Sequence, residues 1–148
     1  MRLFMLICAT LLWIAPAAAT EGSQSVEVWK SPKCGCCIAW VEHLQENAFS
    51  VTTNDTDQTT LDQIKRRAGI TDKLASCHTG KVGGYVVEGH VPASDIKRLL
   101  AERPDAMGLT VPGMPIGSPG MEVDGQPAEA FDVLLVKKDG TTEVFAKH

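Results

Sequence analysis

No run of basic residues and no stripe of interleaved aromatic and basic side chains occurs in the 148 residues, which argues against nucleic acid as a partner. After the N-terminal segment, no stretch approaches the roughly 18–20 consecutive apolar residues that a bilayer span requires. Carboxylates are missing from the neighbourhood of the cysteine cluster Cys34-Gly35-Cys36-Cys37. That works against hard cations as its ligand. The spacings that iron–sulfur clusters use are absent too, as is the second C-x2–4-C knuckle that commonly completes a structural zinc site.

What the chain does have begins at its N-terminus. MRLFMLICATLLWIAPAAAT places Arg2 ahead of an apolar run from Leu3 to Ile14, followed by small residues from Ala15 to Ala19. This is the pattern of a secretory signal peptide cleaved near Ala19, so residues 1–19 are expected to be removed, Cys8 with them. The mature chain, 20–148, is expected to form one domain with no membrane span. Loss of Arg2 leaves 13 of the 14 basic residues against 18 acids, a net charge of about −5.

Four cysteines in an oxidising compartment ordinarily make two disulfides. Here Cys36 and Cys37 are adjacent, and a single glycine separates Cys34 from Cys36, so the cluster is too short to staple distant elements. Three thiols within four residues read instead as a metal or redox site.

Periodicity predicts a strand at 26–29, a helix from Cys37 to Asn47 with Ile38, Trp40, Val41 and Leu44 inward, and a strand at 49–52. Asp57 is the predicted N-cap of a second helix over 58–68, with Leu61, Ile64 and Ala68 on its apolar face and Gly69 at its stop. Residues 74–80 read as a loop, 85–90 as a short strand, and Pro92 as the start of a third helix that Pro104 closes. Residues 109–127, with their glycines, prolines, Met114 and Met121, read as an extended surface loop, and 131–145 as a terminal hairpin. This order predicts an α/β, thioredoxin-like single domain with an inserted Gly/Pro/Met-rich loop. By order along the chain, Pro112 is the candidate for the cis proline that faces the cysteines in such folds.

At a helix N-terminus the unpaired N–H groups and the helix dipole favour thiolate, the form that binds metals and attacks disulfides. Thiolates without carboxylates select Cu(I), and Cys37, beside Cys36, can bridge to a second ion, giving a polynuclear cluster. Cys77 is expected to fold back and join Cys34, Cys36 and Cys37. His78 and His90 are candidate further ligands, and Met114 and Met121 candidate thioether donors or a lid. His43 and His148 are not expected to be ligands, and Trp29 and Trp40 are expected to pack the core. The competing enzyme reading is a thiol–disulfide oxidoreductase exchanging through Cys34 and Cys36, which C-x2-C would favour over C-x-C-C. A redox-inert metal buffer is the third.

Four blocks carry a resemblance: Cys34-Gly35-Cys36-Cys37 followed by Trp40; Leu74-Ala75-Ser76-Cys77-His78-Thr79; Gly84 to Ala93, GYVVEGHVPA; and Gly108 to Glu122, GLTVPGMPIGSPGME. Together they closely resemble the CopG-type family of periplasmic copper-resistance proteins, long described as a domain of unknown function. The resemblance spans essentially the whole mature chain. It implies a thioredoxin-like domain that binds copper through its cysteine cluster and interconverts Cu(I) and Cu(II) in copper tolerance. Copper-export or copper-chaperone proteins would be its partners.

Overall fold

The computed structural model describes residues 24–148, so the expected signal peptide lies outside the described residues. The elements run β1 (Gln24–Lys30), α1 (Gly35–Glu46), β2 (Phe49–Asp55), α2 (Gln58–Arg67), β3 (Thr79–Val82), β4 (Tyr85–Glu88), α3 (Ala93–Glu102), β5 (Ala106–Thr110), β6 (Asp132–Lys137) and β7 (Thr142–Lys147). The strands make one seven-stranded mixed sheet in the order β2-β1-β3-β4-β5-β6-β7. β1 pairs parallel with β2 and β4 with β5, and the other neighbours are antiparallel. No described helix is long and apolar enough to cross a membrane.

Alternation along the strands sends Val26, Val28, Val87, Val133 and Leu135 to one face, where Trp40 and Leu44 of α1 and Ile96 and Leu99 of α3 cover them. Val86 and Val136, one residue out of phase, join Ile70 and Leu74 in a smaller cluster on the other face. The buried stripe of α1 is Cys37, Trp40, Val41 and Leu44, a helical i, i+3, i+4, i+7 set. It therefore starts at a cysteine. Ile38, expected inward, is 43% exposed. Trp40, core as expected, also donates Nε1–H to the carbonyl of Val91 at 2.9 Å.

Asp57 caps α2 as anticipated, accepting from the Thr60 amide at 2.9 Å. The inward residues of α2 are Leu61 and Lys65, so a charged side chain replaces part of the expected apolar face. Two strands depart from expectation. β3 takes Thr79 and Gly80 out of the predicted loop, and β5 precedes the Gly/Pro loop and takes in its first residues. β5 contains Gly108 because β4 runs so close beside it that a Cβ there would lie 1.8 Å from the Val86 carbonyl oxygen. No peptide bond among the described residues is cis, so the bond before Pro112 is trans and the cis-proline expectation is withdrawn. The position entering β3, opposite the cysteine turn, carries Cys77-His78 instead.

His43 bridges α1 to α3, its Nε2 accepting the Ala93 amide at 3.0 Å. Only the unprotonated nitrogen can accept. Burial pushes the His43 pKa below its ordinary 6.5, against smaller upward pulls from Glu122 and Glu46. A pKa lowered on folding supports the native state above the unfolded value, and that support is lost as pH falls through it. His78 and His90 shift in the same direction. Metal-free protein is therefore predicted to melt at a lower temperature at about pH 5 than at about pH 7.5, where all three imidazoles are neutral. His43→Gln, whose amide oxygen can still accept from Ala93, should flatten the dependence measured by circular dichroism melts.

Candidate metal centre

β1 delivers the chain to the Ser31-Pro32-Lys33 turn, where the Cys34 amide bonds back to the Ser31 carbonyl at 3.2 Å. Cys34 is the N-cap of α1, with extended dihedrals (φ −82°, ψ 96°) and no capping hydrogen bond from its side chain. The first-turn amides are thus left directed at the cysteine turn. Across that turn Cys34 and Cys37 form a disulfide, with Cα atoms 5.2 Å apart. This corrects the pairing considered from the sequence. The bonded pair is Cys34 with Cys37, a C-x2-C spacing embedded in C-x-C-C, and not Cys34 with Cys36. Cys37 is wholly buried, whereas Cys34 and Cys36 are half-buried.

Cys36 and Cys77 are free thiols. Cys36 Sγ lies 3.4 Å from Cys34 Sγ and 3.8 Å from Cys77 Sγ, although 41 residues separate Cys36 and Cys77 in sequence. Cys77 Sγ in turn is 3.0 Å from His90 Nε2 and 3.4 Å from His78 Nδ1. Two donor groups result, each with its donor atoms within 4.8 Å of one another: Cys34, Cys36, Cys37 and Cys77, and Cys77, His78 and His90. Cys77 belongs to both. Burial, reinforced by the nearby Cys36, pushes the Cys77 thiol up to about 12, so it is protonated at neutral pH and metal uptake must release its proton.

Both imidazoles favour the neutral form. His90 Nδ1 donates to the Pro119 carbonyl at 2.9 Å, which leaves the Nε2 lone pair facing Cys77. Burial lowers the His90 pKa against opposing contributions from Pro119 and Glu122. His78 is fully enclosed, its ring tilted by 34° against that of Trp40 at 4.2 Å and edge-on to His90 at 5.0 Å. Burial, then the repulsion of His90 and Lys65, holds its pKa well below the usual histidine range. Its Nε2 is a buried polar atom without a hydrogen-bond partner among the described residues. Such an orphan is costly in a finished core, and it lies on the ring whose other nitrogen, Nδ1, faces Cys77. Two thiols, two imidazoles and a reducible sulfur pair form a soft donor set, suited to a thiophilic transition metal.

The Gly/Pro loop reaches the site through its backbone. Ser76 Oγ donates to the Gly113 carbonyl at 2.5 Å, Pro119 holds His90, and Gly120 lies against the first turn of α1. A Cβ at position 120 would meet the Cys36 carbonyl oxygen and the Trp40 nitrogen at 2.7 Å, and φ there is +84°, so only glycine fits without strain. Met121, the next residue, is half-buried, and Met114 is 52% exposed. Of the histidines not expected as ligands, His43 bonds Ala93 and His148 bonds Asp95 at 2.7 Å.

Sequence reasoning missed the support beneath Cys77. Glu88, fully buried on β4, accepts from Lys65 Nζ at 2.5 Å, Thr79 Oγ1 at 2.7 Å and the Ser76 amide at 2.7 Å. Burial raises its pKa, opposed by those same partners. The available signal was a charge on the inward period of two elements, Lys65 four residues after Leu61 and Glu88 two after Val86.

Comparison with known proteins bears on this arrangement. Residues 74–121 match a family described as a protein of unknown function, DUF411. Those residues carry Cys77, His78, His90 and the loop through Met121. No curated protein sequence matches the chain. Two solved forms of a copper resistance protein, CopG, superpose with a TM-score of 0.78 at 41% identity, covering 85% of this chain and 98% of theirs. The chain belongs to the CopG-type family. In this CopG-type chain the fully described cysteine turn lies outside the residues of the DUF411 match, and the solved relatives cover most of the chain.

Glu88→Gln leaves Lys65 buried without its counter-charge and is predicted to cost about 3–5 kcal/mol of stability by chemical denaturation. It should also speed alkylation of Cys77, because Ser76 loses a charged acceptor. Replacing Lys65 and Glu88 together with Met and Leu should recover much of the stability. Alkylation of Cys77 should stay fast in that double variant, since Ser76 then has no acceptor at position 88.

Proposed function

We propose that this chain is an exported, periplasmic copper-binding protein that holds Cu(I) and interconverts Cu(I) and Cu(II) in copper tolerance. The observation that carries the reading is the shared position of Cys77, whose sulfur belongs at once to a four-sulfur group and to a sulfur–imidazole group. Soft sulfur and neutral imidazole donors favour copper over hard cations. A sulfur common to two groups of donors can bridge more than one ion, so a polynuclear cluster follows from the same placement. His78 and His90 complete the ligand set, and the loop bearing Met114 and Met121 controls access to it. The solved relatives are copper resistance proteins, which supports the choice of ion. Copper-export or copper-chaperone proteins are the proposed partners.

The frame is proposed to be thioredoxin-like. The β1-α1-β2-α2-β3-β4 segment, with strand order β2-β1-β3-β4, β1 and β2 parallel and β3 and β4 antiparallel, supports that reading, as does a disulfide at the N-terminus of α1. The C-x2-C disulfide also favours a second reading, thiol–disulfide exchange with other proteins. Reduction of insulin by the metal-free protein would promote it.

Anaerobic titration of the reduced mature protein with Cu(I), against a competing chelator, tests the first reading. Wild type should bind several ions with thiolate-to-copper absorption. Cys77→Ser should lower the count and weaken binding by more than the roughly 10–100-fold that loss of an outer-shell partner costs. Absence of Cu(I) uptake by wild type would overturn the reading.

A further inference from the structure

The four cysteines divide into two chemically different pairs. Cys34 and Cys37 are joined to each other, and their bond spans the first turn of α1. Cys36 and Cys77 are thiols, and Cys77 contacts both imidazoles. With the disulfide closed, the group of Cys77, His78 and His90 is still assembled, and Cys36 Sγ stands 3.8 Å from the Cys77 sulfur. The two pairs touch at one point, where Cys36 Sγ stands 3.4 Å from Cys34 Sγ.

We propose that Cys34 and Cys37 are a two-electron store that reduces Cu(II) delivered to Cys36, Cys77, His78 and His90. The inference rests on the copper reading above and adds to it the source of the electrons. The balance is closed: the Cys34 and Cys37 thiols together give up two electrons and two protons, one S–S bond forms, and two Cu(II) become two Cu(I). Electrons cross from the Cys34 sulfur to the Cys36 sulfur at van der Waals contact. The ions are reduced one after the other, and Cys36 and Cys77 remain thiols or thiolates throughout.

Burial sets how the store is refilled. Cys37 is fully enclosed and Cys34 is partly exposed, so a reductant reaches only the Cys34 sulfur. A dithiol attacks there, forming a mixed disulfide and expelling Cys37 as thiolate. Its second thiol then displaces Cys34, leaving the oxidised reductant and two thiols on the protein. No side chain caps the first-turn amides of α1, and a helix N-terminus favours thiolate over thiol.

The test adds two equivalents of Cu(II) anaerobically to the wild-type mature protein in its fully reduced form. Cu(I) is trapped with a chromogenic chelator, and the cysteines are mapped by alkylation and peptide mass spectrometry. The expected result is two Cu(I) for each Cys34–Cys37 disulfide formed, with Cys36 and Cys77 alkylated as free thiols. Wild type with the disulfide already closed should bind Cu(I), at fewer ions per chain than the reduced form, and reduce no Cu(II). Cys34→Ser should lower the initial rate of Cu(II) reduction at least about tenfold.

A disulfide mapped to Cys36 and Cys77, or undiminished reduction by Cys34→Ser, overturns the electron store and leaves copper binding standing. Failure of both redox forms to bind Cu(I) overturns the copper reading itself. Mapping in wild type decides the matter even if the serine variant does not fold.

Discussion

The carboxylate of Glu88 sits in the sheet with no solvent exposure, and the elements around the site are arranged about its need for partners. A bare charge in that position would cost several kcal/mol. Lys65 from α2, Thr79 from β3 and the Ser76 amide meet the demand together. The consequence is geometric. A helix, two strands and the segment entering β3 are tied to one atom group, and that segment carries Cys77 and His78. The two residues are held against the turn that carries Cys36, on the opposite face from α2. A network of this kind specifies one arrangement because any other leaves buried polar groups unmatched.

Elements with a strong local signal were legible in the sequence. The caps of α2, the inward stripe of α1 from Trp40 to Leu44, and the 131–145 hairpin follow from residues adjacent in the chain. β3 and β5 were not legible, because each is short and holds a glycine whose reason is a neighbour distant in sequence. Gly80 faces the Trp40 ring, and Gly108 admits the close approach of Val86. The expectation of a cis proline at 112 followed from order along the chain, whereas the position facing the cysteines is set by the entry to β3.

The candidate site was legible as a set of residue types but not as a set of pairs. Three thiols in four residues drew attention to their density, and the C-x2-C relation of Cys34 to Cys37 was hidden by the cysteine between them. Helical geometry separates them. Residues three apart stand over one another across a turn, while Cys36 projects at a different angle towards Cys77. The roles of Lys65 and Glu88 were invisible for a further reason. A charged residue on an apolar period is informative only once its partner is known, and here the partners lie 23 residues apart.

The donors come from three separated stretches of chain: the start of α1, the entry to β3, and the residue after the β4 turn. Cys77 and His90 are 13 residues apart and Cys36 and Cys77 are 41 apart. An unfolded chain therefore presents only the Cys34–Cys37 segment and the adjacent Cys77 and His78 as local donors, and the two groups come together only when β1, β3 and β4 have paired. On the proposed copper reading, ion capture at the full site would therefore follow folding. An ion held there would act as a staple on the longest-range contacts, since whatever binds the assembled site but not the open chain draws the folding equilibrium towards the native state.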